Sequence, residues 1–538
     1  MKTILSALFV LSLSTSAFAQ FNEIATSPEF EEPTAGHLKI ITTDAGETFL
    51  LHIDGKDFNL KKYDRNHKLV QEKTMQSIYG DFKRGNILSM TASGEKITLF
   101  TSEMESRTPA LYRQIIDTKT CTFLDEQKID SMPKVKVKIV MMSGVTKQML
   151  HRKFNFYVKT DPETGAYATV ANATDIETEQ HLKVQHFKKD HTLISSSYFY
   201  IPESKFTYYD FKSMDIDGEK SVMLAVIAAN EKTDKLHLAK LSAGATTFES
   251  KQANFPGAEF INTIVARYNA ATNQYLNICT RTKGNTGSTF RVTWDFNKDS
   301  VTTEPLTGAM VTSGIKYRWQ GLSLTIASPI AQNMSIRTDG SYTVAFEDHM
   351  LRENTYAKAN MHSLGSSGGT TTITKLFTNN VAVSDFDKDG KIVNTKMLLK
   401  SHQINVASKL GPYNLSEIEQ QGMELSKGTQ FKTFCYLPIN GKEYVLFVDD
   451  QKNQERIDKR NKPETVIGLE NCRSYVIDLN ASDTKPTRSE LFKEEVSRKN
   501  RPLIIPALSS YNKATEEVAT LKINYETKKA CLSWLKAE

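Results

Sequence analysis

Asp385, Asp387, Asp389 and Gly390 form D-x-D-x-D-G, the opening of a calcium loop in which alternate carboxylates converge and a glycine permits the sharp bend. The place of the closing bidentate Glu is held by Lys396, and the flanks Val381-Ala382-Val383 and Ile392-Val393 are strand-like. The motif is therefore expected to shape a hairpin turn. Calcium at the three aspartates is the weaker alternative, and no other cofactor is expected. Asp215, Asp217 and Gly218 are a shorter version of the same pattern. Gly365-Ser366-Ser367-Gly368-Gly369 satisfies G-x-S-x-G, but the β-branched run Thr370-Thr371-Thr372-Ile373-Thr374 follows, where a nucleophile elbow needs a helix. A loop is expected there, and no catalytic residue can be assigned. His181, His186 and His191 recur every five residues. In a strand an odd separation alternates faces, so exposed or partly buried histidines are expected rather than a metal site.

Two further groups are candidates for ligand contact. Tyr198, Phe199, Tyr200, Phe206, Tyr208, Tyr209 and Phe211 are the densest aromatic cluster in the chain, flanking Pro202. Such rings bind carbohydrate or protein surfaces, and they also fill wedges between packed sheets, which is the favoured reading. Tyr208 and Tyr209 are the first candidates for an exposed contact. Arg318 and Trp319, with Glu347 and Asp348, form the other group, in which Glu347 is the candidate for facing a ligand.

The elements that must position these residues are short alternating strands separated by tight turns at Asp54-Gly55, Asp217-Gly218, Asp339-Gly340, Asp389-Gly390 and Asn440-Gly441. No extended amphipathic helix is expected. Strand units follow one another at a loose period of roughly fifty to seventy residues: 38–75, 76–130, 154–197, one around 222–241, 260–306, 326–399 and 431–492. The run Val222 to Ile227 reads as an inner strand buried on both faces. Strands at 503–508, 518–523 and 530–535 remain, and the strand near Leu38 to Thr42 is expected to pair with them and close a ring. The reading is all-β, a single β-propeller over residues 20–538 with about seven four-stranded blades, six or eight being the other counts.

Residues 1–19 read as an export signal: Met1-Lys2, an apolar stretch from Ile4 to Leu13, and Ala17-Phe18-Ala19 before Gln20. A periplasmic or secreted location is expected, and no later window reaches the length of a membrane span. Lys and Arg number 68 against 62 Asp and Glu, a balance on so large a surface that favours neither nucleic acid nor a membrane. The lysines at 134, 136 and 138 alternate with apolar residues as the wet face of a strand, and the charged run from Lys452 to Lys462 suits a solvated loop. Cys121, Cys279, Cys435, Cys472 and Cys531 show no paired spacing and are expected as buried small hydrophobes.

The stretch Asp385 to Val393, a later Lys400, and Ser474 to Leu479 leading to Leu491-Phe492-Lys493 resemble uncharacterised exported β-propeller-like proteins of Bacteroidota, over the last third of the chain. The resemblance implies fold and compartment. The functional expectation is a non-enzymatic binding or interaction module for a protein or an envelope or extracellular polymer. The alternative is a glycan-processing or ester-hydrolysing propeller.

Overall fold

The computed structural model describes residues 21–537 except 80–81, 83–84, 106–107, 135–138, 143–144, 149–154, 174–179, 202–205, 207, 231–233, 255–260, 284–285, 307–317, 320–321, 324–328, 358–369, 407–420, 426–429, 460, 481–487 and 498–499. The leader at 1–19, the G-x-S-x-G run and four residues of the 134–138 strand lie outside them.

Eight antiparallel sheets, each with a four-strand path, succeed one another along the chain: blades 1 (37–76), 2 (86–131), 3 (155–199), 4 (208–252), 5 (261–305), 6 (329–398), 7 (434–490) and 8 (502–537 with 21–26). From blade 1 through blade 6 the first strands of successive blades pack against one another, which places them on the axis of a β-propeller. The count is eight, one more than the favoured seven. The strand His37–Thr42 begins blade 1 and does not close the ring. Closure falls to Phe21–Thr26, which pairs with Lys529–Ala537 in the register Phe21↔Ala537 to Thr26↔Ser533. This outermost strand is half exposed and lacks apolar alternation, so it carries little strand signal. Its Glu23 is fixed from two sides, by Lys522 Nζ at 2.8 Å and by the Ser533 hydroxyl, which donates at 2.5 Å.

The core consists of wedges between blades. Ser221–Ala229 shows how one strand supplies two of them. Val222, Leu224, Val226 and Ala228 pack with blade 3, while Met223, Ala225 and Ile227 pack with blade 5. Side chains on a strand alternate faces, so a strand buried on both sides must be apolar throughout. Each fully buried Val or Leu contributes about 1.5–3 kcal/mol. The double burial is as expected, although this strand is the second of its blade rather than the innermost.

Antiparallel order gives the ring two unlike faces. Turns joining first to second and third to fourth strands share one face, and Asp217-Gly218, Asp339-Gly340, Asp389-Gly390 and Asn440-Gly441 all lie there. Asp54-Gly55, between second and third strands, lies on the other. That second face also carries the connections between blades and a hairpin of blade 6, Tyr342–Ala357 with Thr370–Phe386, which runs on past the inner strand Pro329–Ile336. Here too the charged run after Asp450 folds, not as the expected loop, but as the helix Gln451–Asp458. Asp450 Oδ1 accepts from Lys452 N at 2.8 Å as its N-cap, and Asn453 and Ile457 are buried.

Candidate functional site

The propeller axis holds a chamber of about 440 Å³ lined by inner strands of six blades. Its wall includes Lys39 of blade 1, Thr91 of blade 2, Asn333 of blade 6, Leu437 of blade 7 and Ser510 of blade 8. A segment from the connection between blades 6 and 7 reaches these inner strands. Met423–Glu424 pairs with His37–Leu38, and Gly422 N donates to Ile87 O of blade 2 at 2.8 Å. Lys39 Nζ donates to Gln421 O at 3.2 Å. Gly422 is seated so closely that a β-carbon would stand 2.6 Å from Ile87 Cβ.

Beside this segment, blades 6 and 7 share a buried cluster of charges. Glu347 sits where the second strand of blade 6 shifts register against the third, between Glu347 and His349. Its carboxylate is ion-paired with Lys400 and lies 2.7 Å from His349 Nε2. Burial pushes the Glu347 carboxyl up, but the Lys400 ammonium and His349 outweigh it and hold the pKa at about 2. In blade 7 Asp449 ends the apolar run Val445 to Val448 and is paired with Arg488, with Asn453 Nδ2 at 2.7 Å. Burial raises the Asp449 carboxyl too, and Arg488, His402 and Asn453 together more than reverse it.

His402 bridges the two halves. Its Nδ1 donates to Lys432 O at 3.2 Å, and Nε2 stands 3.8 Å from Asp449 Oδ1. Burial and the neighbouring Lys400 keep the ring neutral by lowering its pKa. Carboxylate, imidazole and ammonium together are acid–base chemistry. Here Glu347, Lys400, His402 and Asp449 are at most 1% exposed, so the cluster bolts the start of the connection after Leu398 to both blades.

Glu347, the candidate for facing a ligand, is fully buried: it lies on a second strand, where its partners enclose it. Asp348, 7% exposed, is buried with it. Tyr209 is not an exposed contact either. Its ring is 1% exposed in the wedge between blades 3 and 4, edge-on to Phe199, and its hydroxyl accepts from Ile201 N at 2.9 Å. Tyr208 pairs with Ala229 at the start of its strand. Among the described side chains of the cluster, Tyr198 and Tyr200 are exposed. Arg318–Trp319 pairs with Leu322–Ser323 in a short ladder.

His181 and His186 are buried rather than exposed, His186 Nε2 lying 2.9 Å from Gly218 O, and burial pushes His191 down to about 4. In the acidic turn, Asp385 Oδ1 takes Arg337 Nη2 at 2.6 Å and the Thr343 hydroxyl at 2.7 Å. Asp387 Oδ1 accepts from Asp389 N and Lys391 N at 3.0 and 2.8 Å. These contacts shape the turn. Among the described residues no group of three or more His, Cys, Asp or Glu is arranged to hold a metal ion. All five cysteines are buried thiols, none in a disulfide. Sequence reasoning missed His349, His402, Asp449 and Arg488. A readable signal was a charged residue at a core-phase position, as in Leu446-Phe447-Val448-Asp449.

No protein-family model matches the chain, and no curated protein sequence does. Among solved structures it is similar to apo prolyl oligopeptidase B from Galerina marginata, with 7% identity, a TM-score of 0.39, and coverage of 91% of this chain and 56% of that one. It is also similar to a protein from Lactobacillus plantarum, at 10% identity and a TM-score of 0.37 over 86% and 95% of the two chains. The polysaccharide lyase Uly1 gives 8% identity and a TM-score of 0.33 over 84% and 89%. The chain spans just over half the length of the prolyl oligopeptidases it matches. Likeness at this level describes neither activity nor ligand.

Proposed function

We propose that this propeller is an exported binding module that engages a protein or an envelope or extracellular polymer through the face carrying its long connections. The observation that carries this reading is the asymmetry of the ring. One face ends in tight turns, whereas the other bears the extended hairpin of blade 6, the helix Gln451–Asp458 and the segment reaching the axis. Loops set on a rigid scaffold are where binding residues concentrate. The charge cluster beneath supports the reading as well, because it holds that face in shape.

The test compares faces. Arg352 is exposed on the hairpin over the Phe377 ring, and Ile467, 61% exposed, follows the helix. Arg352→Glu and Ile467→Asp should each weaken retention on an envelope or polysaccharide fraction about ten-fold, roughly 1.4 kcal/mol. Val393→Asp, near the tight-turn face, should not. Equal retention by all three variants would sink the reading. So would hydrolysis of glycan or ester substrates by the purified wild type.

A further inference from the structure

We propose that His402 is an acid-triggered release for the face that carries the long connections, which rests on that face being the binding one. Nδ1 holds the ring's proton, because its partner at 3.2 Å is Lys432 O and a carbonyl only accepts. Nε2 is then a bare lone pair, buried and without a hydrogen bond among the described residues, 3.8 Å from Asp449 Oδ1.

A proton taken at Nε2 turns it into a donor, and the acceptor beside it is already occupied. Asp449 Oδ1 accepts from Asp450 N at 2.8 Å and from Asn453 Nδ2 at 2.7 Å, while Oδ2 is paired with Arg488. An oxygen with two lone pairs has no place for a third donor, so the charged ring competes with Asn453. Asn453 is the buried anchor of the helix Gln451–Asp458. Its Nδ2 also donates to Glu464 O at 3.0 Å, and its Oδ1 accepts from Glu464 N at 2.7 Å. Two residues on, Val466 is tied to the other long connection: Gln403 N donates to Val466 O at 3.0 Å, and Val466 N to Ser401 O at 2.8 Å. Helix, insertion and connection thus meet at this ring.

The other charges around the ring do not favour its proton. Lys400, two positions before it, is paired with Glu347, against which His349 also lies; Asp348 is reached only through Asn379 and Ser401. Lys432 brings its ammonium to Gln403 O and Ile467 O, and burial pushes the Cys472 thiol up, which leaves it neutral. Burial and Lys400 lower the His402 pKa below its ordinary 6.5. An opened ring therefore takes the proton before the packed one does. The anchored state is at full strength above about pH 6.5 and is lost as pH falls through the lowered value. Because the packed ring is fully buried, the proton enters when the connection opens and then keeps it open.

Hydrogen exchange of the full-length protein, read by mass spectrometry at about pH 7.5 and about pH 5 and corrected for the intrinsic rate, tests this. The reference is the strand segment Tyr275–Cys279 of blade 5, a blade without histidine. Between the two pH values the protection of 399–406 and 451–471 should fall about ten-fold more than that of the reference, the equivalent of one pK unit. His402→Asn keeps a donor for Lys432 O and removes Nε2, so the extra loss should vanish. Asn453→Ala removes the anchor itself, so 451–471 should exchange fast at both pH values, a result that stands even if His402→Asn does not fold. The proposal is overturned if wild-type protection falls equally in these segments and the reference. It is overturned too if folded His402→Asn keeps the extra loss, or if Asn453→Ala keeps the wild-type difference between the two pH values. Retention on the envelope fraction should drop in acid for the wild type and not for His402→Asn. Exchange as expected, with retention indifferent to pH, upholds the release and counts against the choice of binding face.

Discussion

Gly390 offers a measurable test of how neighbouring blades are joined. It has φ +79° in the turn between the third and fourth strands of blade 6, and a β-carbon there would overlap the Arg291 guanidinium of blade 5. Arg291 is paired with Glu304, and its Nη1 donates to Asp389 O and Tyr342 OH, both at 3.3 Å. A guanidinium is the mobile end of a side chain, so the cost of Gly390→Ala is the loss of these bonds rather than the overlap itself. The left-handed backbone adds about 1 kcal/mol. The two long hydrogen bonds contribute about 1 kcal/mol each, and the half-exposed Glu304 pair less than about 1 kcal/mol. The expected total is roughly 3 kcal/mol.

Gly441→Ala is the control, since φ there is +76° and nothing lies within 4 Å of the added carbon. It should cost only the backbone strain, about 1 kcal/mol. Urea unfolding of Gly390→Ala, Arg291→Ala and the double variant gives the coupling, expected at roughly 2 kcal/mol. If Gly390→Ala and Gly441→Ala agree within about 0.5 kcal/mol, the guanidinium contact does not join the blades and the reasoning fails.

Lys400→Met leaves the Glu347 carboxylate buried without its ammonium and should cost roughly 3–5 kcal/mol, more than half of it recovered by adding Glu347→Leu; equal stability of the single and double variants by urea unfolding would contradict this. His237 is 6% exposed, and burial, with Lys235 nearby, pushes its pKa down from 6.5 to about 4. As pH falls the unfolded chain takes the proton first, so this stability is complete above about pH 6.5 and is lost towards pH 4, about 3 kcal/mol in all. His237→Leu should flatten that part of the stability profile, and an unchanged slope would count against it. Tyr209→Phe removes the acceptor for Ile201 N and should cost about 1 kcal/mol with retention on the envelope fraction unaltered; reduced retention at normal stability would return Tyr209 to the binding surface.

The strand units were legible because their burial alternates or is continuous over several residues, as in Phe49 to Ile53 and Val222 to Ile227. Three strands of the eighth blade were legible at its C-terminal end, but the closing strand was not, because Phe21–Thr26 is half exposed and its partner lies at the other end of the chain. The helix after Asp450 was hidden by its charged residues, since only Asn453 and Ile457 turn inward. Glu347 was singled out for its type and its place near a strand end. Its phase was the better guide: it follows Val344, Ala345 and Phe346, all fully buried. A charged residue continuing such a run is buried with it and must find a partner, which Lys400 supplies from 53 positions later. No local pattern announces such a partner.

The decoration of a single face follows from chain direction. Once the first strands all run the same way, tight turns fall on one side and connections between blades on the other. What the sequence chooses is where those connections grow long, and here they cluster on blades 6 and 7: the extended hairpin, the 399–433 connection and the 451–471 insertion. Such segments have few ladder partners, so their backbone carbonyls must be satisfied by other groups. Lys432 Nζ donates to Gln403 O and Ile467 O at 2.6 and 2.7 Å, His402 donates to Lys432 O, and Arg488 donates to Leu399 O. Two of the cations in this region have buried counter-charges: Arg488 is paired with Asp449, and Lys400, whose Nζ stands 3.5 Å from Lys432 O, is paired with Glu347. The buried charges thus stand where long connections require anchoring, with Glu347, Lys400, His402 and Asp449 at most 1% exposed.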